Sequence, residues 1–188
     1  MSVAIPLTIK KTRKEENHIM KNKTLFRLCL SAVIAALYAA VSFGAVQVRV
    51  AEALTLLPVL FPEAIAGVTL GCFLTNLIGA MTGMNILGFA DVLIGTLATF
   101  AAAVMTWKLR RIRVAGLPLC SALMPVLFNA VIIGGELAFV LFPDQLLTGF
   151  VINALQVGLG ELLACLILGL PLVQVLNRTE LARRFGLR

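Results

Sequence analysis

The chain has 188 residues, 60% of them hydrophobic and only 13% charged, with a mean hydropathy of +1.01. That excludes a soluble globular protein, and at roughly 20 apolar residues per crossing the length leaves room for about five to seven spanning helices and little else. The formal net charge of +7 marks loops rather than a nucleic-acid surface, because the basic residues fall into three clusters, Lys10 to Arg27, Lys108 to Arg113 and Arg178 to Arg188, with Arg49 alone between them.

Residues 1–24 are polar and of mixed charge, so a disordered tail is expected there; Met20 is an alternative start that would make residues 1–19 an extension. The run from Leu25 to Val46 is too long for a signal-peptide core and lacks a small-residue cleavage site, which predicts a retained helix. It carries small residues at four-residue spacing in two rows, Ser31, Ala35, Ala39 and Ala32, Ala36, Ala40. Such rows let a second helix approach closely, either inside the bundle or from another subunit.

The next run, from about Ala53 to Ala80, contains Pro58 and Pro62 followed by Glu63, and charge decides how it crosses. With one crossing the sixteen basic residues divide seven against nine; with two, fifteen share one side and Arg49 stands alone on the other, as the positive-inside rule requires. Two crossings make the first a stubby helix, at nine residues roughly 14 Å of α-helix, too short to cross lipid without shelter from its neighbours. Runs at about 90–107, 117–142 and 147–176 complete an all-α integral membrane protein of six helices. Residues 1–24 and 177–188 are then cytoplasmic tails around a transmembrane domain at 25–176.

This topology sorts the polar residues by depth. Arg49, Glu52, Asn85, Asp91 and Asp144 fall in outer loops or helix ends, Asn76, Glu136, Asn153 and Gln156 in outer helix halves, and Asn129 and Glu161 near mid-membrane, while Glu63 lies on the inner side. A carboxylate at the centre of a spanning helix costs about 2.5 to 3.5 kcal/mol, so Glu136 and Glu161 should face a cavity or each other. Asn129 and Glu136, seven apart, share a helix face, and Asn153, Gln156 and Glu161 share an arc on the following helix. These groups serve either as hydrogen-bonding glue between helices or as a binding site.

Absences narrow the chemistry. There is no GxxxxGK[ST] loop for ATP, and the only histidine, His18, lies in the tail, which leaves no histidine metal site or histidine-activated nucleophile in the membrane region. Cys29, Cys72, Cys120 and Cys165 show no CxxC spacing and read as buried hydrophobes. Neither a cofactor nor a metal is called for, and enzyme catalysis starts from a low prior.

Four features together resemble the substrate-binding S components of energy-coupling factor (ECF) vitamin transporters, in particular the QueT-type members linked to queuosine precursors. They are the row Ala32, Ala36, Ala40, the segment VQVRVAEALTLLPVLFPEAIAGVTLGCFLTNLIG at 46–79, the DVLIGTLAT run from Asp91, and GLGELLACLILGLPL at 158–172. The resemblance spans about residues 22–178. It implies the six-helix S-component fold, a multi-pass protein of the cell membrane, and a ligand site opening outward. It also implies docking, through the row Ala32, Ala36, Ala40, to a coupling transmembrane subunit that works with two cytoplasmic ATPases.

A 7-deazaguanine would suit a pocket of this composition. One carboxylate accepts its N1–H and exocyclic amine together, and an amide donor meets its carbonyl. Glu136 is the first candidate for that donor edge, Asn129 and Gln156 for the carbonyl, and Glu161 as second carboxylate. Asp91 or Glu52 would meet an aminomethyl cation, Arg49 lies in the same outer group, and Phe89 and Phe139 are possible stacking faces. An S component for another vitamin-like molecule, a small membrane enzyme, an unaided facilitator and a purely structural bundle remain as alternatives.

Overall fold

The computed structural model of the chain describes residues 7–42, 50–85 and 87–179. The elements are α1 (Leu7–Ser42), a 3₁₀ helix (Val50–Val59), α2 (Glu63–Thr82), α3 (Phe89–Leu109), α4 (Leu119–Leu141), α5 (Leu146–Leu163), a π-helical stretch (Ala164–Gly169) and α6 (Leu170–Arg178). Five stretches are long and apolar enough to cross a membrane: Lys23–Ala40, Glu63–Thr82, Phe89–Lys108, Leu119–Leu141 and Leu146–Arg178. The last of these joins α5, the π stretch and α6 into one 33-residue crossing. With the 3₁₀ helix they make the six-helix, all-α membrane architecture that charge placement predicts.

The prolines act where expected, with one difference. The run breaks after Val59, and the amides of Leu60 and Phe61 both donate to the Leu57 carbonyl, at 2.9 and 3.0 Å. Pro62, which has no amide hydrogen to leave unpaired, stands at the N-cap of α2. The stubby helix is not α-helical, however. Wound as a ten-residue 3₁₀ helix, it rises about 2.0 Å per residue and spans about 20 Å, where the same residues as α-helix would span about 15 Å. It is also the most sheltered part of the fold, with Leu56 at 0% and Leu57 at 6% exposure. It packs against α1, α2, α3 and the π stretch. Gly169 permits that last contact, since a Cβ there would stand 3.1 Å from Leu56 Cδ2 and 3.2 Å from the Ala53 carbonyl oxygen.

Of the tail, residues 1–6 lie outside the described residues; from Leu7, where disorder is expected from the sequence, the backbone is helical and runs without a break into the first crossing. Extending an existing helix needs no new nucleus, and lysine, arginine and glutamate all tolerate the helical state well.

The helices α1 to α5 are neighbours in chain order. α1 and α2 run parallel, at the closest approach in this part of the bundle. A Cβ on Gly67 would lie 2.8 Å from Ile34 Cβ, and one on Gly71 would lie 2.6 Å from Tyr38 Cβ and 3.0 Å from the Ala35 carbonyl oxygen. At the end where this pair begins, Arg27 Nε meets Glu63 Oε1 at 2.9 Å and Ser31 Oγ donates to the Glu63 carbonyl at 2.9 Å. Glu63 also lies in the first turn of α2, where the helix dipole favours a negative charge. The two small-residue rows of α1 therefore part: Ala35 is buried with Ser31 and Ala39 partly so, whereas Ala32, Ala36 and Ala40 are exposed.

Two further contacts fix the remaining helices. Thr106 Oγ1 donates to the Ser121 carbonyl at 3.2 Å and Ser121 Oγ donates to the Thr106 carbonyl at 3.0 Å, a reciprocal pair that ties α3 to α4. A Cβ on Gly134 would lie 2.8 Å from Ala154 Cα, so α4 and α5 meet backbone to backbone.

Gly71→Ala tests the α1–α2 contact. Overpacking of this kind costs about 1 to 3 kcal/mol, so the thermal unfolding midpoint in detergent should fall clearly. Gly135→Ala is the comparison: the nearest atoms to a Cβ there are Cδ2 and Cε2 of Phe150 at 4.0 Å, an ordinary contact, and little or no loss is expected.

Candidate functional site

Basic residues gather at one end of the bundle, with Arg27, the Lys108 to Arg113 connection and Arg178; Glu52, Asp91, Glu136, Asp144 and Glu161 lie at mid-depth and toward the opposite end. Glu136 projects from α4 one and a half turns before its end. Both of its carboxylate oxygens are buried and neither meets a hydrogen-bond partner among the described residues. Asp91, in the first turn of α3, lies within electrostatic reach of it. A helix N-terminus is where backbone amides favour an anion, which explains how Asp91 is tolerated beside a second carboxylate.

The surroundings of Asp91 are tightly organised. Asn76 Nδ2 donates to the Asp91 carbonyl at 3.0 Å, and Asn85 Nδ2 donates to the Asn76 carbonyl at 3.2 Å. Glycines make room for both amides. The Asn85 side chain lies over Gly79, where any Cβ would collide with it, and a Cβ on Gly95 would stand 2.7 Å from Asn76 Nδ2 and 3.1 Å from Asp91 Oδ1.

A second polar group lies among α1, α2, α3 and the 3₁₀ helix. Cys72 Sγ accepts from Thr99 Oγ1 at 3.2 Å and from Asn76 Nδ2 at 3.5 Å, and it is hydrogen-bonded to the Tyr38 hydroxyl. Tyr38, Cys72 and Thr99 are 4%, 6% and 3% exposed. Glu52, in the first turn of the 3₁₀ helix, and Glu161, fully buried on α5, both lie within electrostatic reach of Tyr38. Asn76 touches both groups and so joins the Asp91 end to the Tyr38 centre.

The sequence-derived candidates distribute over these groups unevenly. Asn129, Asn153 and Glu161 are buried as their depth requires. Asn153 uses its amide within its own helix, donating to the Gly149 carbonyl at 2.8 Å. Gln156 is exposed on α5 beside exposed Ile152, Leu155 and Leu159, away from the buried carboxylates of the bundle. Phe89 and Phe139 are exposed as well. Arg49 lies outside the described residues. Among the described residues no group of three or more histidine, cysteine, aspartate or glutamate side chains could hold a metal ion.

Tyr38, Cys72 and Thr99 were not among the candidates. Tyr38 carried the one available signal: it is the only tyrosine in the chain, and a tyrosine inside an apolar run needs a partner for its hydroxyl.

An all-helical membrane bundle that turns its carboxylates inward is an arrangement for holding a polar small molecule, and residues 28–178 match the model of the QueT transporter family. The chain belongs to that family. No curated protein and no solved structure matches it. As a QueT transporter it is a multi-pass membrane protein that handles a small-molecule substrate. The match covers every crossing from the first turns of the α1 span to the end of α6 and leaves out only the N-terminal segment and the last ten residues.

Proposed function

We propose that the chain is the S component of an ECF-type importer, which captures a queuosine precursor of the 7-deazaguanine class from outside the cell. Membership of the QueT transporter family supports the transport role, and one observation supports the site: Glu136 presents two buried carboxylate oxygens that meet no hydrogen-bond donor among the described residues. A 7-deazaguanine brings two adjacent donors, N1–H and the exocyclic amine, to such a pair. Asn129, buried two turns earlier on the same face of α4, supplies an amide for the carbonyl, and Asp91 stands ready for an aminomethyl cation. Glu52 and Glu161 complete the acidic lining behind Tyr38; Arg49, outside the described residues, stands as a candidate on its sequence position alone. Gln156, exposed among apolar side chains of α5, has no part in this lining.

The chain carries no phosphate-binding loop of its own, so energy would come from a coupling transmembrane subunit and two cytoplasmic ATPases, and the chain itself is not an enzyme. Six crossings bring both ends of the chain to the basic end, which is cytoplasmic on the positive-inside rule. Ala32, Ala36 and Ala40 are exposed while their sister row packs on α2, which favours them as the docking face.

Glu136→Gln turns half of the acceptor pair into a donor that faces another donor. Hydrogen bonds to charged groups contribute about 1.5 to 3 kcal/mol, so affinity for a queuosine precursor in titration calorimetry should fall roughly 10- to 150-fold. Glu63→Gln, whose partner is Arg27 at the basic end, should leave binding nearly unchanged. Wild-type affinity in Glu136→Gln would move the site elsewhere, and no binding of any deazaguanine by the unmodified protein would reject the substrate class.

Ala36→Trp separates capture from coupling. Uptake in cells should be abolished while the purified chain still binds ligand, because the bulky ring keeps a partner helix at a distance. Undiminished uptake would show that the row faces lipid.

A further inference from the structure

The connection between α3 and α4 places four cations within six residues, Lys108, Arg110, Arg111 and Arg113, and the transport reading assigns them no ligand. The apolar span of α3 closes at Lys108, and Arg110, Arg111 and Arg113 follow before Pro118. The segment closes on itself. The Val114 amide donates to the Leu117 carbonyl at 2.9 Å and the Leu117 amide returns to the Val114 carbonyl at 3.0 Å. Between them Ala115 and Gly116 stand at φ 51° and 78°, the left-handed pair that closes a two-residue hairpin. An alanine in that region is strained, so the compact turn is held against a local penalty. Folded back in this way, the connection stays close to the end of the apolar α3 span.

The cations of this turn do not have the same task. Arg110 folds back on its own helix: its guanidinium lies 4.3 Å over the Trp107 ring, and Nη1 donates to the Trp107 carbonyl at 2.8 Å, which caps the end of α3. Lys108, Arg111 and Arg113 are exposed and form no ion pair with any described residue. Cationic and apolar residues alternate along Arg111–Val114, and Ile112 and Val114 are 49% and 48% exposed.

We propose that this turn is a binding site for the headgroup of an anionic phospholipid. Lys108, Arg111 and Arg113 would meet the phosphate, for which a guanidinium offers a matching fork of donors, while Ile112 and Val114 enter the adjacent acyl region. An acidic protein surface would answer the cations and leave the two apolar side chains in a polar contact. A lipid of negative charge answers both. The proposal stands apart from the identity of the transported molecule.

Trp107 makes the site observable, because it is the only tryptophan in the chain. The full chain is reconstituted in vesicles that mix phosphatidylcholine with phosphatidylglycerol, one of the two brominated near the carbonyl end of its acyl chains, and quenching of tryptophan fluorescence gives the relative association of each lipid beside Trp107. Phosphatidylglycerol should be preferred several-fold. In Arg111→Gln/Arg113→Gln the preference should fall toward one, each lost cation lowering it by up to about fivefold, and raising the salt concentration should weaken it likewise. Arg111→Lys/Arg113→Lys should retain part of the preference, and Lys23→Gln, on α1, should retain all of it. Equal quenching by the neutral lipid in wild type and variants checks that the fold is intact. Equal association of the two lipids with the wild-type chain overturns the proposal, as does a preference that the double glutamine variant leaves unchanged.

Discussion

Hydrocarbon cannot solvate a carboxylate, and this chain places Glu52, Asp91, Glu136 and Glu161 within or at the ends of its apolar runs. Every one of them must therefore be turned toward protein or toward a polar cavity. The fold meets that demand with unusual local geometry. Asp91 occupies a helix N-terminus, and Glu52 opens a 3₁₀ helix that lies inside the bundle. Glu161 is fully enclosed three residues before the helix widens into its π-helical stretch. Glu136 has both oxygens shielded by its neighbours. Inward carboxylates of this kind give a member of the QueT transporter family a polar interior.

Close helix contacts make that interior possible. Lipid supplies little hydrophobic drive for one helix to leave it for another, so association depends on packing and hydrogen bonds. Gly67 and Gly71 admit the flank of α1, Gly134 admits α5 against α4, and Gly169 admits the 3₁₀ helix against the π stretch. The Thr106–Ser121 exchange and the hydrogen bonds converging on Cys72 then hold the helices in register. Because one small-residue row of α1 is consumed in this packing, the other stays on the surface.

Proline and charge made the topology legible. Pro58 and Pro62 marked the break in the second run, and the isolation of Arg49 among sixteen basic residues required the extra crossing. The winding of that crossing was not legible, since 3₁₀ and α-helix share side-chain preferences and differ through what packs around them. Nor could the two alanine rows be told apart, because the glycines that select between them lie on α2, some 36 residues along the chain from the positions they contact. The same distance effect governs the site. Depth identified Glu136, Asn129 and Glu161 correctly as inward groups, yet Gln156 fell on the exposed flank of the same helix whose other face carries Asn153 and Glu161. Tyr38, Cys72 and Thr99 come together from three helices, and each alone resembles an ordinary core residue.

The central claim is that the inward carboxylates form a pocket for a single polar molecule captured from outside. Native mass spectrometry of the chain purified in mild detergent from cells supplied with queuosine precursors tests it most directly. One retained molecule per chain with the mass of a 7-deazaguanine is the predicted result. A chain that leaves the membrane folded and carries no small molecule, or carries one without the paired donors that Glu136 requires, would contradict it.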